Sequence, residues 1–552
     1  MEISRRGFAG GALGLALSTQ LPSRAVAQAP DGLAAAVEAI RAYGEAHRSR
    51  FGLPGMTLGL TAPGGYATVL NFGYANADAR TPITPDTLFQ IGSITKVMVA
   101  ALVHQLAAEG RFRLSDRFSD LLPAIPLPAG NAIQIQHLLD HVAGLPSDAP
   151  LFPEGGLWTA YAPGAHWHYS NTAYDMLGKL AEHSGGKPLS RLLAERIFAP
   201  NRMPRTRGAI VGSDRVLYAQ GYENADPTSV SARGLPLRPA AWVDVTFGAG
   251  SVASTAEDMN RFLGVLASMV QGRGGLGLSP RLAQAFMSHA VRSDAPGMRY
   301  GNGLMHVGNA GRSYVHHTGG MVSFSSSFHV DQASGAGAFA SSTISAFAEF
   351  RPRLLTRFAV DALTEALAGR PVPTPPGLDV PILNAAVYAG TYRGPSGGFE
   401  VVPGDPLTIQ AAGQSAALQY WGGEIFRTTH PAFRQFSLKF ERADAAVTGA
   451  SWGSDSFLKD GASASLPRSD PALARLAGRY INDSPWIGTA MVVERGGKLW
   501  IGTETPLSPI GPNRWRVGEA AWSPERASFA NFIDGRPQTF IFSGEKFLRH
   551  DV

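Results

Sequence analysis

Ser93 and Lys96 stand three residues apart in Phe89-Gln90-Ile91-Gly92-Ser93-Ile94-Thr95-Lys96, directly before the apolar run Val97 to Val103. In a helix that spacing stacks the hydroxyl and the amine one turn apart on one face. The apolar run predicts a buried helix, and burial lowers a lysine pKa by disfavouring the ammonium. A lysine that loses its proton readily can take the serine proton and make the hydroxyl a nucleophile. Two more polar groups are candidates for the same chemistry. A turn at Pro163-Gly164 leads to Tyr169-Ser170-Asn171, and the strand-like Ser313-Tyr314-Val315 leads to His317-Thr318-Gly319-Gly320.

In chain order these three elements, S-x-x-K, Y-x-N and H-T-G, resemble the active-site motifs of the serine β-lactamase and penicillin-binding protein superfamily. Tyrosine in the second motif makes the chain similar to the class C branch, which includes esterases and D-aminopeptidases. His137 to Pro146 resembles that branch's H-L-L-x-H-x-S-G-L segment, with Ala143 where serine is usual. Ile197-Phe198-Ala199-Pro200 with Met203 and Thr206 resembles I-F-x-P-L-G-M-x-x-T, with Asn201-Arg202 in place of Leu-Gly. Gly248 to Met259 resembles G-G-L-x-S-T-A-x-D-L. The resemblance runs over roughly residues 35 to 365.

The resemblance implies an acyl-enzyme hydrolase without a cofactor. Ser93 is then the nucleophile at a helix N-terminus, and Lys96 accepts or relays its proton. Tyr169 is a second base and acid, and Asn171 places Lys96 and the substrate carbonyl. The oxyanion hole falls to the N–H groups of Ser93 and Gly320, at the edge formed by Thr318, Gly319 and Gly320. Ser93, Lys96 and Tyr169 titrate as one set, so the microscopic base stays open. His317 departs from the family's K-T-G lysine. Histidine is mostly neutral at pH 7, so a site with His317 binds carboxylate-bearing β-lactams poorly unless another cation, such as Arg312, replaces the charge. The expected order is peptidase or amidase of D-aminopeptidase type, then carboxylesterase, then β-lactamase. A reading from another class is a catalytically silent protein that binds cell-wall peptides in the same cleft.

These residues must be held by a particular set of elements. Leu33, Val37, Ile40 and Tyr43 recur at helical spacing within 31–50. Residues 56–61 and 66–72 predict antiparallel strands, 173–182 and 256–269 helices, and 314–330 and 336–342 strands that close the sheet. The fold class is α+β, a β-lactamase-like catalytic domain over 28–370. Arg370 to Gly377 is a proline-rich spacer, and 371–380 is the linker. Beyond it, short alternating runs between glycines and prolines predict all-β structure.

That tail repeats. Tyr388-Ala389-Gly390-Thr391-Tyr392 returns as Leu476-Ala477-Gly478-Arg479-Tyr480, and Trp421-Gly422 with Phe426-Arg427 returns as Ile510-Gly511 with Trp515-Arg516. Two small antiparallel β-barrels are expected, over 381–465 and 470–552. This arrangement is similar to the D-aminopeptidase architecture, which implies a barrel loop at the active site that restricts substrates. Asn482 to Gly488 or Ala520 to Pro524 is the expected loop.

Composition bounds the partners. Hydrophobic residues at 44% and charged residues at 16% fit a globular chain long enough for several cores. The absence of cysteine excludes disulfides, thiolate zinc sites and a cysteine nucleophile. His166-x-His168 and His316-His317 read as polar residues bracketing a site motif rather than as metal ligands. A net charge of +5 without a Lys/Arg block predicts no nucleic-acid partner, and the expected partner is a small-molecule or peptide substrate. Ser4-Arg5-Arg6-Gly7-Phe8, an apolar Gly10 to Ser18 and Ala25-Val26-Ala27 predict a twin-arginine export signal over 1–27, hence a periplasmic protein without a membrane-spanning segment after cleavage. Oligomeric state is left open.

Overall fold

The structure, a computed structural model, describes residues 31–345 and 352–550; the predicted export signal lies outside them. The catalytic part is built on a nine-stranded sheet. We number its strands β1 (Gly55–Ala62), β2 (Tyr66–Asn76), β3 (Thr81–Pro82), β4 (Val291–Arg292), β5 (Met298–Gly301), β6 (Leu304–Asn309), β7 (Arg312–Gly320), β8 (Ser325–Asp331) and β9 (Gly337–Ser342). Their spatial order is β3-β2-β1-β9-β8-β7-β6-β5-β4, so the last strands close against the first, and every pairing is antiparallel.

Strands β1, β8 and β9 are buried along their whole length, which requires cover on both faces. One face carries helices α1 (Asp31–Phe51) and α5 (Pro352–Leu367). Leu33, Ile40 and Tyr43 of α1 join Leu355, Phe358 and Leu363 of α5 in one core there. The other face carries α4 (Ala256–Val270) and, beyond it, α2 (Thr95–Ala108) and α3 (Asn171–Gly185). Val97 to Val103 of α2 are all fully buried, as expected for a helix apolar on every side.

The run 314–330, expected as strand throughout, is broken. Strand β7 ends at Gly320, Met321 N–H donates to Phe324 O at 2.9 Å in a turn, and β8 starts at Ser325. The break places Gly319-Gly320 at a strand end beside Ser93 instead of in mid-sheet.

The tail forms two closed antiparallel barrels of eight strands each. The first runs from Gly390–Gly394 to Asp455–Lys459, the second from Gly478–Ile481 to Glu545–Arg549. The repeat has a physical basis. Tyr392 donates its hydroxyl to Tyr388 O and Tyr480 donates its own to Leu476 O, each at 2.7 Å. Both barrels also carry a register shift at the matching hairpin, between Tyr420 and Gly422 and between Pro509 and Gly511. Phe457 and Phe547 fill equivalent core places. The buried Arg495 links the barrels by donating to Gly453 O and Thr503 O at 2.7 and 2.9 Å.

Candidate active site

Ser93 lies in the single 3₁₀ turn Gly92–Ile94 that leads into α2. Gly92 holds φ at +53°, and a Cβ there would sit 2.9 Å from Gly320 N and 2.7 Å from Gly320 O. A Cβ on Gly319 would lie 1.9 Å from Ile91 O and 3.3 Å from Ser93 N. Glycine is therefore required at both positions for the end of β7 to lie against the nucleophile turn.

Lys96 is fully buried one turn after Ser93. Its ammonium donates to Ser93 Oγ at 3.0 Å, Asn171 Oδ1 at 2.6 Å and Ala249 O at 2.9 Å. Burial pushes its pKa well below the usual lysine value, while Asp175 and then Asp148 oppose the shift. Asp175 is raised by its own burial, against the Ala249 N–H that it accepts at 2.9 Å and the field of Lys96. Amine and carboxyl thus bind the two ends of the Ala249 residue, and each is pushed toward its neutral form.

Tyr169 presents its ring 4.9 Å from Lys96 Nζ. Burial raises its pKa, with a hydrogen bond to Ser93 pulling the other way and Asp148 adding to the rise. Ser170 caps α3 by accepting Ala173 N–H at 3.0 Å, so Asn171 opens the helix one turn before Asp175. Asn171 Nδ2 donates to Asp148 Oδ1 at 2.7 Å.

His317 is buried, and its pKa falls to about 3 from burial and from the nearby Lys96. Its Nδ1 lies 2.6 Å from Thr318 O and its Nε2 3.2 Å from the Tyr300 hydroxyl, an arrangement that suits a neutral ring protonated at Nδ1. Arg312 does not supply a substitute cation. It pairs with Asp361 and Glu365 of α5, at the opposite end of β7. His141, inside the H-L-L-x-H segment, is buried with its ring 4.3 Å from Tyr169 and 4.6 Å from Tyr300.

Ser93, Asn171 and Gly320 open on a cavity of about 620 Å³. Asp148, Asp175, Asp244 and Glu545 contribute carboxylates to its wall, and Phe152, Trp486 and Ile487 contribute apolar surface. Lys179 and Glu182, also on the wall, pair with each other at 2.9 Å. Of the two expected barrel loops, Asn482 to Gly488 reaches this cavity through Ser484, Trp486 and Ile487. Ala520 to Pro524 packs instead behind the Y-x-N segment, where Trp522 stacks on His166 at 4.8 Å.

Of the eight candidate residues, Ser93, Asn171 and Gly320 line the cavity, Lys96 and Tyr169 stand behind them on Ser93, Gly319 lies against the Ser93 turn, and His317, with Thr318 next to it on β7, has its ring 6.3 Å from that of Tyr169. Asp148, Asp175, Tyr300 and Glu545 escaped sequence reasoning, while His141 and Ala249 fell within segments of the resemblance without being singled out as site residues. Asp175 carried a signal, its i+4 spacing from Asn171; a backbone carbonyl such as that of Ala249 carries none.

The Beta-lactamase family model matches residues 34–361. A beta-lactamase of Pseudomonas fluorescens is 35% identical over 185 residues, 31% of this chain and 51% of that protein. Penicillin-binding protein 4* of Bacillus subtilis (strain 168) is 27% identical over 217 residues, 35% of this chain and 48% of that protein. The match spans about half the length of these curated relatives. Among solved structures, the octameric penicillin-binding protein homologue from Pyrococcus abyssi shares the fold, with a TM-score of 0.54 at 21% identity, covering 77% of this chain and 100% of that one.

Proposed function

This chain belongs to the Beta-lactamase family, and on that premise we propose that it is a serine hydrolase, an amidase or peptidase that acts beside a free amino group. Ser93 Oγ attacks the substrate carbonyl carbon as Lys96, in its neutral form, takes the hydroxyl proton. The N–H groups of Ser93 and Gly320 hold the oxyanion. Collapse of the tetrahedral intermediate breaks the bond to the leaving amine, which collects a proton through Lys96 and Tyr169. Water then enters and attacks the acyl carbonyl as the same pair takes its proton, and that proton passes to Ser93 Oγ as its bond to the acyl group breaks and the acid leaves.

The observation that carries the choice of substrate is the charge of the cavity. Its wall holds the carboxylates of Asp148, Asp244 and Glu545 besides the Lys179–Glu182 pair and besides Asp175, whose buried carboxyl is matched to Lys96, and His317 stands neutral where the family's lysine would help hold a carboxylate. An ammonium facing such a wall gains about 1 kcal/mol per nearby carboxylate at a half-open mouth. A β-lactam carboxylate loses a similar amount. Trp486, Ile487 and Phe152 supply apolar surface for the side chain of the residue whose acyl group is transferred.

A substrate panel tests this reading: p-nitroanilides of D- and L-amino acids, their N-acetyl forms, p-nitrophenyl acetate and nitrocefin, on wild type and Ser93→Ala. We expect kcat/KM at least tenfold higher for the free-amine anilides of one configuration than for their N-acetyl forms, weak nitrocefin turnover, and no turnover by Ser93→Ala. Equal rates for free and acetylated anilides defeat the amine reading. Turnover by Ser93→Ala defeats the hydrolase mechanism. The proposal extends to a periplasmic location, supported by the twin-arginine pattern and the A-x-A site of residues 1–27; fractionation of cells expressing the full chain tests it.

A further inference from the structure

The second barrel lines the cavity with Ser484, Trp486, Ile487 and Glu545, and it also meets the catalytic part away from the cavity, behind the Y-x-N segment. Glu525, at the foot of the strand Arg526–Ile533, is largely but not fully buried behind the Y-x-N segment. Its side chain is 13% exposed, and that of its partner His168 is 19% exposed. Glu525 Oε1 accepts from Ser147 N–H at 2.7 Å and from His168 Nε2 at 2.8 Å, and Oε2 accepts from the Ser543 hydroxyl. Burying a carboxylate is costly unless its oxygens are bonded in this way. Docking alone does not call for it, because Trp158 Nε1 already donates to Pro524 O at 2.7 Å and Trp522 already stacks on His166.

The partners that Glu525 selects are the ones that hold the second motif. Ser147 Oγ donates to Tyr169 O at 3.1 Å and lies 3.2 Å from His168 Nε2. Ser147 O accepts Asn171 N–H at 2.7 Å and Thr172 N–H at 3.1 Å. His168 immediately precedes Tyr169, and Asp148, which follows Ser147, holds the Asn171 amide. The carboxylate therefore grips the one residue whose backbone and hydroxyl fix the peptide units of both Tyr169 and Asn171.

We propose that Glu525 is a positioning residue: through Ser147 and His168, the second barrel holds Tyr169 and Asn171 at their working distance from Lys96 and Ser93. The barrel then acts on turnover as well as on selectivity. This inference rests on the Ser93 acyl-enzyme reading. A misplacement of reacting groups by about 1 Å can cost 10²-fold in rate.

The test compares Glu525→Ala, Glu525→Gln, Ser147→Ala and the double variant Glu525→Ala/Ser147→Ala on p-nitrophenyl acetate, a substrate too small to need the Trp486 wall. We expect Glu525→Ala to lower kcat about 10- to 100-fold with KM within about threefold. Glu525→Gln keeps the shape and the acceptor oxygen, and should retain at least about half of kcat. Ser147→Ala, which keeps the N–H on Glu525 and removes only the hydroxyl that holds Tyr169 O, should lower kcat as well, and the double variant should lose less than the product of the two single losses. If Glu525→Ala unseats the barrel, seen as a shift in tryptophan emission, Glu525→Gln and Ser147→Ala carry the test alone. An unchanged kcat in Glu525→Ala or in Ser147→Ala, or losses that multiply in the double variant, overturns the proposal. Ester turnover by Ser93→Ala marks instead a failure of the acyl-enzyme reading, whatever Glu525 does.

Discussion

At the scale of single residues, the site depends on the proton held by Lys96. Three acceptors surround its nitrogen, while burial withholds the solvation that an ammonium needs. The pKa is lowered, so the neutral amine becomes available toward neutral pH and is lost on acidification. Asp175 opposes that shift. Asp175→Asn should therefore lower the Lys96 pKa further and move the acid limb of kcat/KM to lower pH. A limb that stays in place or moves up would remove Asp175 from the account. His317 gives a second prediction. His317→Lys restores a cation where the ring now bridges Thr318 O and Tyr300, and nitrocefin turnover should rise by about tenfold, the gain expected from about 1.4 kcal/mol. Unchanged or lower turnover would show that charge at this position does not exclude β-lactams.

At the scale of elements, the end of β7 and the turn before α2 are locked by contact between two backbones. Gly319→Ala would put a methyl group 1.9 Å from Ile91 O, so one of the two must move and Gly320 N–H leaves its place. The expected result is a 10²- to 10³-fold fall in acylation by a fluorophosphonate with the far-UV spectrum retained. A preserved rate would place the oxyanion elsewhere. Much of this arrangement was legible in the sequence. The S-x-x-K spacing, the apolar α2 and the paired tyrosines of the barrels each express a local rule. The break after Gly320 was not legible, because the alternating run Val322 to Val330 looks the same whether it continues β7 or opens β8. Nor were Glu525 and Glu545, carboxylates on a barrel surface until the fold sets them against residues hundreds of positions away.

At the scale of the whole molecule, buried histidines set the response to acid. Burial pushes His47 and His306 down to about 4, and His316 and His317 down to about 3. His316 stacks on His329 at 4.5 Å, and His329 too is lowered by burial. Their folded pKa values lie below the unfolded value near 6.5, so below that pH the unfolded chain takes up protons that the native chain refuses. Stability should be full above about pH 7 and should fall as pH drops through 6 and 5, by up to about 1.4 kcal/mol per pH unit for each such group. Urea unfolding at pH 7 and pH 5 measures this, and His316→Phe should flatten the slope. A midpoint that does not move with pH contradicts it.

The contact between Gly92, Gly319 and Gly320 also divides the cleft into two halves with different freedom to evolve. Where two main chains touch, almost no substitution is available, so a randomised library at 91–93 and 319–320 should return mostly dead clones. The opposite bank is made of side chains, Trp486 and Ile487 from one hairpin and Glu545 from another. Diversity placed there can redraw the range of accepted molecules while turnover survives, which makes the barrel the natural handle for retargeting this enzyme.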